Sequence, residues 1–215
     1  MKTSNGISKL LSLALVAGVM LVSQISFGQD TKTGKRDMKD KMSMKASKVM
    51  KTDSEPVMVG GAKMYPTRNI IENAINSKDH TTLVAAVKAA GLVKTLSSEG
   101  PFTVFAPTNK AFESLPAGTV ETLLMEENKK QLQSILTYHV VAGKIGANDL
   151  AKLIKDNDGK ASIKTVSGGT LMAWEKDGAI YISDENGNRS KVTIADVFQS
   201  NGVIHVVDTV VLPKS

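Results

Sequence analysis

Two runs in this chain are apolar on both faces of an extended backbone: Phe102-Thr103-Val104-Phe105-Ala106, interrupted only by Thr103, and Val203-Ile204-His205-Val206-Val207, interrupted only by His205. Successive side chains of a strand point to opposite faces, so a strand apolar on both belongs inside a domain. Each run sits in a longer block with polar residues at set places, GPFTVFAPTNKAF at 100–112 and SNGVIHVVDTVVLP at 200–213. Between them, Tyr138-His139-Val140-Val141 again joins polar residues to an apolar run. Pro107 ends the first strand, because proline cannot donate to a ladder. Thr108 and Asn109 then have the side chains to cap a helix that buries Ala111, Phe112 and Leu115.

Upstream of the first block the apolar spacing is helical. Thr67 is expected to cap a helix with Ile70, Ile71, Ala74 and Ile75 on one face. Asp79 or Thr81 is expected to cap a second, with Leu83, Val84, Val87 and Ala90 inward and Gly91 at its end. A short helix is predicted over 119–125, and a longer one from Asn128 carries Leu132, Ile135 and Leu136. Beyond Tyr138 short strands are predicted at 162–166, 170–174, 179–183, 191–194 and 202–212, with Gly168-Gly169, Asp177-Gly178 and Asn186-Gly187 in the turns. Helices first and strands afterwards predict one α+β domain, not the alternation of a parallel sheet.

The N-terminal residues read differently. Lys2 and Lys9 precede an uncharged apolar run at 10–22, and Ser26 and Gly28 supply small residues before Gln29. This predicts an export signal, residues 1–28, cleaved after Gly28, and a secreted or periplasmic mature chain. The run of 13 residues is shorter than the ~20 a spanning helix needs, so no transmembrane segment is expected in the mature chain. Cysteine is absent, which excludes disulfides and leaves the domain to its core.

Residues 29–55 hold eight basic and five acidic residues and no aromatic one, and are expected to be a flexible linker before a domain at 64–213. Met38, Met42, Met44 and Met50 alternate there with lysines, a pattern compatible with contact to an anionic surface. Thioethers can hold Cu(I), but no histidine or cysteine lies nearby and no metal is expected. Residues 56–215 hold 17 basic and 16 acidic residues, which argues against a nucleic-acid partner.

No catalytic constellation is visible. His80, His139 and His205 are the three histidines, and no two share a helix face. There is no phosphate-binding glycine loop and no nucleophile elbow, so neither an enzyme nor a cofactor is expected. His205 is expected to be a neutral core histidine, His139 a hydrogen-bond node between helix and sheet, and Asp208 a buried carboxylate that needs partners. Asn188-Arg189-Ser190 is a glycosylation sequon, of consequence only in a eukaryotic host.

The three blocks, in their order and spacing, resemble the two signature boxes and the central Tyr-His pair of the fasciclin domain, over about Met64 to Pro213. The resemblance implies a wedge of about seven short strands with helices around it. It also implies an exported adhesion or matrix-binding module that contacts a protein or polysaccharide at a cell surface or matrix. Integrin-binding sequences of animal fasciclin domains include an Asp-Ile pair before the second box and the Tyr-His region. These map to Asp196-Val197 and to Tyr138-His139, although Ile194-Ala195 stand where those sequences are polar. Asp196, Val197, Tyr138 and His139 are thus the candidate partner-binding residues, with Asp196 expected to face a partner and to matter little for stability. Thr108, Asn109, His205 and Asp208 are expected to serve the fold. Some fasciclin-type proteins carry a small apolar ligand such as a carotenoid, and Met172, Trp174 and Tyr181 are candidates to line such a groove.

Overall fold

A hairpin opens the fold: β1 (Val57–Val59) and β2 (Ala62–Met64) pair antiparallel across a Gly60-Gly61 turn. The computed structural model describes residues 55–214. The expected export signal, and all of the expected linker but Glu55, lie outside the described residues. Val59 and Met64 are buried in the core, so the packed region begins upstream of Met64.

Six short helices follow, with the strand β3 among them. Helix α1 (Ile70–Ala74) is capped by Asn69 rather than Thr67, through a reciprocal box with Glu72. Helix α2 (Thr81–Ala89) runs to Ala90, and Gly91 takes the left-handed conformation that stops it. Then come α3 (Val93–Leu96), β3 (Phe102–Pro107), α4 (Asn109–Glu113), α5 (Thr119–Leu124) and α6 (Lys129–Tyr138). The second half contains β4 (Val140–Ala142), α7 (Ala147–Asp156), β5 (Lys160–Lys164), β6 (Thr170–Lys176), β7 (Ala179–Ser183), β8 (Arg189–Gln199) and β9 (Gly202–Val207).

Seven strands form one sheet in the order β4-β3-β9-β8-β7-β6-β5. All neighbours are antiparallel except β3 and β9, which run parallel from Phe102↔Gly202 to Pro107↔Val207. The sheet nearly closes on itself: Val166, just past β5, donates its N–H to the Val140 carbonyl of β4 at 2.8 Å. The two runs apolar on both faces are the parallel pair β3 and β9, second and third in the sheet. Val104, Ala106, Ile204 and Val206 pack against the helical layer built from α1 to α6, whereas Phe105 and Val207 face a second core with Leu150 and Ile154 of α7 and the inner residues of β5 to β7. Gly202 is where β3 and β9 come closest, and a β-carbon there would overlap the Phe102 carbonyl.

The strand-rich half departs from expectation in three places. It contains a helix, α7, anchored by Leu150 and Ile154. The strand expected at 191–194 is the middle of an eleven-residue β8 with two register shifts against β9, between Val192 and Ile194 and between Ile194 and Val197. The strand expected to reach 212 ends at Val207.

Candidate binding site at the β8 bulge

Asp196 sits in the second irregularity of β8 with φ at +58°, one of three residues other than glycine in the left-handed region among the described residues. Asp and Asn tolerate that conformation better than most residues. The bulge turns the side chain towards the start of α7, where Oδ1 accepts from Ala147 N–H at 2.7 Å. A carboxylate at a helix N-terminus satisfies an orphan donor and meets the positive end of the dipole. The loop before α7 is held by two more strands. Thr103 Oγ1 of β3 donates to the Gly143 carbonyl at 2.7 Å and accepts from Ile145 N–H at 2.9 Å. His205 of β9 donates through Nε2 to the Ile145 carbonyl at 2.9 Å and accepts from Asp196 N–H at Nδ1, 3.4 Å away. Burial lowers the His205 pKa, against the opposing pull of the Ile145 carbonyl and the Asp196 carboxylate. The ring also stacks on Phe105 with centroids 5.6 Å apart.

Above this scaffold lies an open cleft of about 350 Å³ lined by Lys144, Asn148, Asp149, Asp196 and Phe198. The Lys144 ammonium stands 4.4 Å from the centroid of the Phe198 ring. The cleft thus presents a carboxylate, an ammonium and a half-exposed aromatic ring side by side.

The other candidate contacts are elsewhere and inside. Tyr138 is fully buried; its hydroxyl donates to the Thr170 carbonyl at 2.7 Å and accepts from Glu185 N–H, and burial pushes its pKa up to about 12. His139 donates through Nδ1 to the Ile135 carbonyl at 2.8 Å and accepts from Val211 N–H at Nε2, 3.2 Å away. Burial lowers its pKa to about 4. Val197 is buried in the helical core. Of the four candidate partner contacts, only Asp196 reaches the surface.

The polar residues of the signature blocks are tied into the fold, two of them in unexpected ways. Thr108 caps α4 by accepting from Ala111 N–H. Asn109 instead reaches back to α2, accepting at Oδ1 from Thr82 N–H at 3.1 Å and donating to the Lys78 carbonyl at 2.8 Å. It therefore fills the role expected of Asp79 or Thr81. Asp208 is exposed, because β9 has ended at Val207; its Oδ1 accepts from Lys191 N–H at 2.8 Å and from Ser190 and Thr209 hydroxyls. The buried carboxylate is Asp184, which accepts from the N–H groups of Asn186, Asn188 and Leu212 and from the Asn188 side chain. Asn201 likewise fills its capacity, accepting from Ile70 N–H and donating to the Leu96 and Ser98 carbonyls.

The cap has a consequence for Asp196. Asp196→Ala is expected to cost about 1 kcal/mol, the usual loss for an N-terminal cap, where the loop position alone suggested indifference. Urea midpoints, with faster amide exchange at Ala147, will show it; a midpoint equal to that of the parent would mean that the carboxylate does not cap α7.

Met172, Trp174 and Tyr181 line no interior groove. They lie half-buried on the outer face of the sheet, with the Trp174 and Tyr181 rings stacked 5.7 Å apart at 15°. The apolar cavity between α1, α2, α3 and the sheet encloses about 40 Å³. That is room for about three waters, not for a carotenoid. Among the described residues no three His, Cys, Asp or Glu side chains gather as a metal site would require, and no helix is long and apolar enough to cross a membrane.

Comparison with known proteins agrees with this architecture. A model of the fasciclin domain matches residues 78–213. The chain is 48% identical over 164 residues to the Synechocystis protein sll1483, covering 76% of this chain and 84% of that one. It is 40% identical over 138 residues to the transforming growth factor-beta-induced protein ig-h3 of Sus scrofa, covering 62% of this chain and 17% of that one. Its fold is similar to that of a FAS1 domain pair from the insect cell adhesion molecule fasciclin I, with a TM-score of 0.60 at 20% identity, over 73% of this chain and 57% of that one. With a family model over more than half of its length and a relative close to half identical, the chain belongs to the fasciclin domain family.

Proposed function

We propose that this protein is an exported adhesion module whose contacts run through the cleft at the start of α7. The observation that carries the reading is the cleft itself: Asp196, Lys144 and Phe198 offer opposite charges and a ring in one open site, on a loop held by three strands. The histidines and the buried Tyr138 are engaged internally and present no reactive group outward. Family membership supports the same reading, since the structural neighbour is part of a cell adhesion molecule. Rigid scaffolds that position polar loop residues are where binding usually resides.

Attachment of cells of the producing strain to a surface coated with mature protein tests it. Coating should raise attachment several-fold over a bare surface, and Phe198→Ala with Lys144→Ala should abolish most of that gain at a temperature where circular dichroism shows the double variant fully folded. No gain from the parent protein would remove the adhesion reading. A gain undiminished in the double variant would retain adhesion but move it away from the cleft.

A further inference from the structure

The outer face of β5 to β8 is basic and carries an aromatic pair. Ala161, Ile163, Leu171, Ala173, Ile182 and Val192 point into the core. The alternate positions therefore face outward, and the register aligns them across four strands: Lys160 beside Trp174, Ser162 beside Met172, Met172 beside Ser183, Trp174 beside Tyr181, Ser183 beside Arg189 and Tyr181 beside Lys191. Five cations stand on this face, Lys160, Lys164, Lys176, Arg189 and Lys191, and no carboxylate occupies an outward strand position. Among the described residues none of the five pairs with a carboxylate; the Lys129–Glu126 pair lies in the helical layer. At its margins Asp208 accepts from Lys191 N–H and Glu185 from Thr170 N–H, while the exposed Glu175 falls on the other alternation of β6, that of Leu171 and Ala173.

An apolar strip crosses the basic field. Trp174 and Tyr181 stack, and the Arg189 guanidinium lies 5.8 Å over the Trp174 ring. Lys160, Met172, Trp174, Ser183 and Arg189 line a shallow groove of about 370 Å³. By strand spacing and rise the face measures roughly 14 Å across four strands and roughly 13 Å from Lys160 to Lys164. A single small anion could engage only a corner of it, whereas an extended ligand could engage it all.

We propose that this face binds an acidic polysaccharide, one whose sugar rings carry carboxylates. The apolar edges of the sugars pack on Trp174, Tyr181 and Met172, and their hydroxyls meet Ser162, Ser183 and Thr170. The carboxylates pair with the lysines and with the fork of Arg189, which suits that planar group. A polynucleotide fits less well. It carries a phosphate at every residue and is held by a basic excess over the whole fold. Residues 56–215 are almost balanced, with 17 basic and 16 acidic residues, and offer only this local patch. The inference deepens the adhesion reading by naming a second face and its ligand.

Trp174 is the sole tryptophan of the chain, so its fluorescence reports this face. Titration of the full mature chain with alginate oligosaccharides should shift the emission saturably. Neutral dextran of equal length should not, and the midpoint should weaken with added salt. A Lys160→Gln, Lys164→Gln, Lys191→Gln variant, which removes exposed charge and the exposed Lys164–Thr170 hydrogen bond, should keep its melting temperature and bind at least five-fold more weakly; Arg189→Gln read in the same way provides a second, independent check. An emission unmoved by alginate, equal binding in both variants, or tighter binding of an oligothymidylate than of alginate would each overturn the proposal. Cell attachment is measured separately, so failure here leaves the adhesion reading standing, and failure there leaves this one standing.

Discussion

Acidification from pH 7 to pH 4 will destabilise this domain by several kcal/mol, and three buried histidines will be the main cause of the upper part of that loss. His80, His139 and His205 are each at most 3% exposed, and burial lowers the pKa of all three. The His139 pKa is lowered from its ordinary value near 6.5 to about 4, its burial outweighing the opposing Ile135 carbonyl and the Asp184 carboxylate. His80 bonds through Nδ1 to the Ser77 hydroxyl, and its burial outweighs the opposing pull of the Ala106 backbone and the Asp79 carboxylate. The sign is fixed by which state holds the proton. Between the unfolded value near 6.5 and the lowered folded values, the unfolded chain binds protons that the native one refuses, so stability rises with pH across that window and is lost as pH falls through it. At ~1.4 kcal/mol per unit, His139 alone contributes roughly 3 kcal/mol above pH 7 that is absent below pH 4. Urea midpoints from pH 8 to pH 4 should be flat above pH 7 and fall steeply below 6.5. His139→Gln should be weaker at pH 7, since Val211 N–H loses its acceptor, yet should fall less steeply with acid. A parent midpoint constant from pH 7 to pH 5 would show that these imidazoles are protonated in the native state.

The parts of this fold that were legible in the sequence are those whose signal is local. Period and punctuation place α2, α6, β6 and β7, and strands apolar on both faces place β3 and β9 between the two cores. The first surprise is Asn109, which stands beside a helix start in sequence but caps a helix about 27 residues upstream in the chain. Capping chemistry is readable from residue type, but the choice of helix is made by tertiary proximity. The second is α7, whose apolar side is narrow: two buried residues, Leu150 and Ile154, one turn apart. The third is the pair of irregularities in β8, which move Asp196 out of the ladder and over α7. No periodicity announces a bulge that depends on the partner strand. The same dependence hid the outer basic face, because Lys160, Lys164, Lys176, Arg189 and Lys191 come from three separate strands and meet only through the register.

Asp184 is expected to matter more for stability than Asp208. Asp184-Glu185-Asn186-Gly187-Asn188 connects β7 to β8, and the Asp184 side chain closes that turn by accepting from the N–H groups of Asn186 and Asn188. Its second oxygen accepts from Leu212 N–H at 2.8 Å, which ties the C-terminal segment down next to the point where Val211 N–H donates to His139. Asp184 is 4% exposed, so water cannot readily take over these bonds. Removing the carboxylate leaves three backbone donors without their acceptor, and buried unsatisfied groups cost roughly 1–3 kcal/mol each before relaxation. Asp184→Ala should therefore lower stability by about 3 kcal/mol and the melting temperature by about 6–12 °C, given 2–4 °C per kcal/mol for a domain of this size. Asp208→Ala, at an exposed position with fewer buried dependants, should lose about 1 kcal/mol or less. Hydrogen exchange separates the mechanisms: Asp184→Ala should speed exchange at Leu212 and Val211 together, because one anchor of the segment is gone, whereas Asp208→Ala should affect Lys191 alone. Equal losses in the two variants, or unchanged protection at Leu212 in Asp184→Ala, would mean that the segment is held by its apolar contacts through Val210 and Val211 and not by this carboxylate.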